Sequence, residues 1–188
     1  MGFAIAECLA RKGARVKLIA GPTFLKTQHP IIERTDVKTA KQMYEATTAA
    51  FAEADAAILS AAVADYTPKN VADSKIKKKD TALNIELQPT DDILAELGRR
   101  KRANQLLIGF ALETDNEQAN AEAKLKKKNL DFIVLNSLKD AGAGFGVETN
   151  KVTIIDSLGN IDKKDLKAKS EVAEDIVEKM ISMMKAKH

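Results

Sequence analysis

The chain has 188 residues, 45% of them hydrophobic, which suits one domain with a sizeable core. Net charge is only +3, with 30 basic residues against 27 acidic ones, and aromatic residues make up 4%. That balance argues against a general nucleic-acid footprint and against a base-stacking platform. The sequence has no apolar run of membrane-spanning length and no basic leader followed by an apolar stretch, so neither a membrane span nor a signal peptide is expected. A single cysteine, Cys8 in an apolar helical context, cannot form a disulfide within the chain and suits a reducing cytoplasm.

In chain order, Met1 to Lys12 reads as an amphipathic helix ended by Gly13, and Arg15 to Ala20 as a strand closed by Gly21-Pro22. A helix-first opening is unusual ahead of β-α-β units, because a parallel crossover needs a strand before its helix. Gly2 fits the last glycine of a phosphate-holding turn, and it fits equally a domain that begins with a helix. Ile31 to Asp36 is the next strand. Thr39 then opens a helix to Ala54 with Thr39-x-x-Gln42 as a capping box. Met43, Ala46, Thr47, Ala50 and Phe51 follow at helical spacing and read as core.

The stretch from Ala56 to Lys79 organises the rest. Ala56 to Ala62 reads as a buried strand that breaks into a loop carrying Asp65 and Tyr66, followed by lysines at 75, 77, 78 and 79. Ligands of open α/β sheets sit beyond the carboxyl ends of strands, where a carboxylate and mobile ammonium groups can hold a polyphosphate and its metal ion. A loop-capping Asp65 and a solvated lysine turn is the bland alternative.

Leu83 to Leu87 alternates as a half-buried strand. Thr90 is expected to cap a helix with Asp91 and Asp92 in its first turn, where carboxylates suit the helix dipole or approach a metal–nucleotide complex. Gln105 to Leu112 reads as a buried parallel strand. A second capping box, Thr114-x-x-Glu117, opens a helix to about Asn129. Lys124 and Lys128, four apart, share one face of it, either solvated or aimed at an anion. Asp131 to Asn136 is another strand. The loop 141–150, with Gly142, Gly144 and Gly146, follows no strand-to-helix pattern and carries little weight as a phosphate loop. Lys151 to Asp156 and Asn160 to Lys164 read as a β-hairpin. Ser170 is expected to cap a last helix with Val172, Ile176, Val177, Met180, Ile181 and Met184 as its apolar stripe. His29 and His188 have no His/Cys cluster around them, so no zinc site is expected. The fold class is α/β, a doubly wound, mostly parallel Rossmann-like sheet with a C-terminal β-hairpin.

Six segments together resemble a known family: M-G-F-A-I-A at Met1, A-A-V-A-D-Y at Ala61, K-I-K-K at Lys75, G-F-A-L-E-T at Gly109, K-K-N-L-D-F-I-V-L-N at Lys127 and G-F-G-V-E-T-N-K-V at Gly144. In order and spacing they resemble the phosphopantothenate–cysteine ligase domain of bacterial coenzyme A biosynthesis, over essentially the whole chain. The resemblance implies a reaction in which the carboxylate of 4'-phosphopantothenate attacks CTP. The resulting acyl-cytidylate is taken by the amine of L-cysteine, releasing CMP. It implies a nucleotide site of Leu59, Ser60, Ala61, Asp65, Lys75, Asp91, Asp92, Ile93, Leu94, Phe110, Lys124 and Lys128. Lys75 would be the catalytic lysine on a flexible flap, and Asp65 would bind the nucleotide or its Mg. It also implies a homodimer and a flavin-dependent decarboxylase domain as fusion partner.

Two departures stand out. The family's Asn-Pro-Asp-Ile is Thr90-Asp91-Asp92-Ile93 here. The family also has a strand and a loop of the type S-N-x-S-S-G-K-M-G, of which this sequence carries only the last Met-Gly. The expectation is therefore a single domain, 1–188, lacking that strand and glycine-rich loop, with weak CTP binding and little ligation. Two other readings compete: an NAD(P)- or flavin-type dinucleotide-binding oxidoreductase domain, which would need G-x-G-x-x-G after a first strand, and a non-catalytic dimerisation module.

Overall fold

A computed structural model describes residues 1–78, 83–113, 115–137 and 147–187. The expected Thr114 cap, the glycines of the 141–146 loop, Lys79 and His188 lie outside the described residues.

The chain opens on α1 (Gly2–Arg11), whose apolar residues face two ways. Ile5 and Cys8 point into one core, and Ala6 and Ala10 into a smaller one with Ile32. Gly13, at φ +88°, reverses the chain after the helix in a conformation that costs glycine least. β1 (Val16–Ala20) and β2 (Ile32–Asp36) then pair in parallel, Val16 opposite Ile32 and Ala20 opposite Asp36. α2 (Ala40–Phe51) has the expected N-cap, the Gln42 N–H donating to Thr39 Oγ1 at 3.1 Å. The Gln42 side chain reaches back to the Lys38 N–H at 2.8 Å, one residue beyond the usual capping box.

Among the described residues the main sheet has five strands in the order β10-β9-β7-β6-β3. β3 (Ala56–Leu59), β6 (Leu106–Glu113) and β7 (Phe132–Ser137) run parallel, while β9 (Val152–Asp156) and β10 (Ile161–Lys163) are antiparallel additions. The near-continuous apolar run of β6 is what burial on both faces requires. Leu106 and Ile108 face the core with α1 and α5 (Lys169–Lys187), and Leu107 and Ala111 face the core with α2, α3 (Ile93–Arg100) and α4 (Glu117–Lys127). Strand alternation thus divides the hydrophobic residues into two layers around one doubly wound, mostly parallel sheet. Two short ribbons complete the described residues: β4 (Tyr66–Pro68) with β5 (Leu87–Pro89), and β8 (Thr149–Asn150) with β11 (Lys167–Ala168).

β1 and β2 form a separate two-stranded sheet. Both flanking helices nevertheless span it and the main sheet. α1 contributes to the cluster with Val16 and Leu18 and to the cluster with Ala56 and Ile58, while Met43 and Phe51 of α2 share a cluster with Ile19 of β1 and with Ala57 and Leu59 of β3.

Four local expectations are corrected. The strand from Ala56 ends at Leu59 rather than Ala62. Leu83 and Ile85 are exposed outside any strand, and the β-structure there starts at Leu87 and pairs back with Tyr66–Pro68. α4 begins at Glu117 with Asn116 as its N-cap at φ +46°, so Glu117 is the first helical residue rather than the third. Ser170 lies inside the first turn of α5 rather than capping it.

Candidate nucleotide site

The carboxyl end of β3 is where three chain segments meet. Leu59 pairs with Gly109 of β6, and Ser60 follows it directly. A Cβ on Gly2 would stand 2.7 Å from Ser60 Oγ, so the first turn of α1 closes on this strand end and glycine permits the approach. Ala61 and Asp65 are exposed in the connection that leads to the β4–β5 ribbon. The ribbon is anchored at its base. Thr90 donates through its N–H to the Asp65 carbonyl at 2.9 Å and through its hydroxyl to the Ala64 carbonyl at 2.7 Å. Thr90 therefore ties the end of the β3 connection to the start of α3, and it does not cap the helix.

The cap of α3 is Asp92. One carboxylate oxygen accepts from the Ala95 N–H at 2.9 Å, and the other pairs with the Lys128 ammonium. Asp91 precedes the cap and is exposed. Ile93 and Leu94 turn inward, 7% and 9% exposed, and seat the helix on the sheet. Lys128 lies 14% exposed beneath Asp92, and Lys124 donates to the Phe110 carbonyl at 2.9 Å. Partial burial works to raise the Asp92 carboxyl, but the hydrogen bonds from Lys128 and the Ala95 N–H and the charges of Lys128 and Lys124 outweigh it, holding Asp92 below the usual carboxylate range. Lys124, Lys128, Asp92, Phe110, Ile93 and Leu94 are thereby drawn together along the middle of β6, beside α3.

Lys75 is placed differently. It lies exposed in the segment beyond the ribbon and, among the described residues, makes no side-chain hydrogen bond or ion pair. The segment is joined to the body through β4 and β5, with Lys69 and Glu86 paired across its neck at 2.7 Å. Among the described residues there is no cluster of three or more His, Cys, Asp or Glu side chains fit to hold a metal. Mg²⁺ commonly uses one or two carboxylates plus substrate phosphates, and the exposed Asp65 is a donor of that kind.

Three residues that shape this place are not among the site residues expected above. Gly98 and Asn129 join α3 to the end of α4, and Gly109 lets Leu94 and Leu130 approach β6, to 3.0 and 2.9 Å of where its Cβ would lie. A lone glycine inside Leu97-Gly98-Arg99 was the available signal, since helix interiors disfavour glycine without a packing reason.

The doubly wound, mostly parallel α/β sheet defines the class of this domain, one whose members place ligands beyond the carboxyl ends of their strands. The chain belongs to the DNA/pantothenate metabolism flavoprotein C-terminal domain family, which it matches over residues 1–184. It is 43% identical over 185 residues to the coenzyme A biosynthesis bifunctional protein CoaBC of Bacillus subtilis (98% of this chain, 45% of that protein). It is 55% identical over 184 residues to a cysteine/cysteine sulfinic acid decarboxylase of an unknown prokaryotic organism (98% of this chain, 51% of that protein). The crystal structure of the C-terminal domain of a CoaBC protein superposes with a TM-score of 0.82 at 37% identity, covering 98% of this chain and 82% of that one. The chain spans about half the length of the curated relatives it matches. Among the described residues no helix is long and apolar enough to cross a membrane.

Proposed function

We propose that this domain joins 4'-phosphopantothenate to L-cysteine through an acyl-cytidylate made from CTP, in the cytoplasm, as the ligase half of a coenzyme A biosynthesis protein. The observation that carries the reading is the convergence of Lys124 and Lys128 with Asp92 and the Phe110 carbonyl, in a family whose relatives include CoaBC proteins.

The chemistry asks for charge neutralisation. A carboxylate is a poor acyl donor until a nucleotide gives it a leaving group, and phosphate charge must be met as pyrophosphate departs. Lys128 enters this role from an ion pair with Asp92, so an arriving phosphate competes with that carboxylate for the ammonium. Lys124 enters from a carbonyl. Lys75 would close from the segment between β4 and β5 as a third point charge. Asp65 would hold Mg²⁺ with the triphosphate, the ion supplying further charge stabilisation when bound.

The split sheet supports a further part of the reading. Among the described residues β1 and β3 each pair on one side only, and α1 and α2 span both sheets. An extended strand inserted in parallel between them, turning into α1 at Gly2, would carry the glycine-rich loop that completes the site, and ligation would require it. A homodimer and a flavin-dependent decarboxylase domain belong to the same proposal.

Calorimetric titration with Mg-CTP and with NADP tests the site. Binding of CTP but not NADP is expected. Lys128→Ala should weaken CTP binding by about 10- to 100-fold, the worth of one charge-assisted hydrogen bond. Unchanged CTP affinity in folded Lys124→Ala and Lys128→Ala proteins would refute the reading. Pyrophosphate release that depends on 4'-phosphopantothenate, followed by product only when cysteine is added, tests the reaction in a protein carrying the inserted strand.

A further inference from the structure

We propose that Gly98 and Asn129 are positioning residues, a joint between α3 and the end of α4 that sets where the Lys128 ammonium stands relative to Asp92. The proposal rests on the nucleotide reading for its consequence, though not for its geometry.

Gly98 lies buried one and a half turns into α3, six residues after the Asp92 cap. A Cβ built on it would stand 2.0 Å from the Lys128 carbonyl oxygen and 2.9 Å from the carbonyl carbon. Only a residue without a side chain lets the helix body meet the backbone of Lys128 at that range. Asn129 holds the same junction from the other side. It takes a left-handed conformation, φ +53°, as the chain leaves α4, and its side-chain amide donates to the Gly98 carbonyl at 2.9 Å. The Lys101 ammonium secures the Asn129 carbonyl at 2.6 Å. The Lys128 N–H stays bonded to the Lys124 carbonyl at 2.9 Å, so the backbones of the two lysines move together.

The joint thus fixes two backbones, and each carries one partner of the site. Asp92 sits at the start of α3, and Lys128 at the end of α4. Because the ion pair closes the far end of the same junction, shifting the Lys128 carbonyl by about 1 Å or more, as a methyl on Gly98 demands, has to change the Lys128–Asp92 contact. Gly109 serves the same packing from below, with Leu94 of α3 and Leu130 after α4 both resting over it.

The test uses Gly98→Ala and the milder Asn129→Gly, which keeps the left-handed backbone and removes only the amide bond to Gly98. Two quantities are read in each folded variant: the titration of the Asp92 carboxyl by carbon-detected NMR, and affinity for Mg-CTP by calorimetry. Lys128 and Lys124 are the charged groups that face Asp92 from α4. With the joint loosened, Asp92 should titrate closer to the ordinary 3.8, and CTP affinity should fall about tenfold. In the Gly98→Ala/Lys128→Ala double variant, CTP binding should be no weaker than with Lys128→Ala alone. A joint that only stabilises the fold would lower the melting temperature and leave the Asp92 titration as in the parent, and that result overturns the proposal whatever happens to CTP. If Gly98→Ala does not fold, Asn129→Gly decides by the same criterion. If Asp92 shifts while Lys128→Ala binds CTP like the parent, the joint stands and the nucleotide reading falls.

Discussion

Asp156 shows how much one carboxylate can organise in this chain. It is 3% exposed and accepts from the Leu158 and Asn160 N–H groups at 3.0 Å, from the Asn160 side chain, and from Lys179 of α5 at 2.7 Å. It folds the turn between β9 and β10 and attaches that hairpin to the last helix. Burial works to raise its carboxyl, but the bonds from Lys179 and Asn160 outweigh it and leave the group below its ordinary 3.8. A carboxyl depressed in the folded state contributes stability above the unfolded value and loses it as pH falls through the folded one. The loss should therefore set in as pH falls to the ordinary 3.8 and grow as it falls further. Asp156→Asn should cost about 2 kcal/mol at neutral pH, discounted because Lys179 is 31% exposed, and should flatten the acid limb of a denaturant-stability profile. A variant whose acid limb still matches the parent would show that other carboxylates carry that dependence.

Gln105 plays a similar part at the same end of the sheet, where the parallel strands begin, and it belongs to the joining of elements. Its amide donates to the Phe51 and Ala54 carbonyls at 2.8 and 2.7 Å, and its oxygen accepts from the Arg102 N–H at 2.9 Å. It satisfies the frayed end of α2 with a side chain at the start of β6, while 2% exposed. Gln105→Ala strands those carbonyls away from water, for about 2–4 kcal/mol, measurable as a lower urea midpoint at unchanged slope. Elements of this kind were legible unevenly. The buried runs of β6, β7 and β9 and the stripe of α5 declare themselves, because period and length alone decide them. The shared face of Lys124 and Lys128 was legible for the same reason. The β4–β5 ribbon was not, since its strands are three residues long, each ending in proline, and their pairing spans a long insertion. The Asp92 cap was hidden by a competing Thr90, whose hydroxyl turned out to be committed to the Ala64 carbonyl. Gly98 and Asn129 act through tertiary approach, which no spacing rule reports.

At the scale of the molecule, the sheet's division gives the most direct measurement. β6 and β7 have paired neighbours on both sides and helices over both faces, whereas among the described residues β3 is bonded only to β6 and β1 only to β2. All four residues of β3 remain half-buried although helices flank the strand, as an edge open along its length would leave them. Hydrogen exchange should rank accordingly. Amides of β6 and β7 that bond to neighbouring strands should exchange only through global opening, and those of β1 and β3 through local fraying, about a hundredfold faster. In a protein carrying the proposed inserted strand, amides of β1 and β3 that face the division should slow towards the β6 rate, because each would gain a partner carbonyl. Equal slow exchange across β1, β3 and β6 without that strand would mean that the two sheets already close on each other, and the proposed insertion would have no place to go.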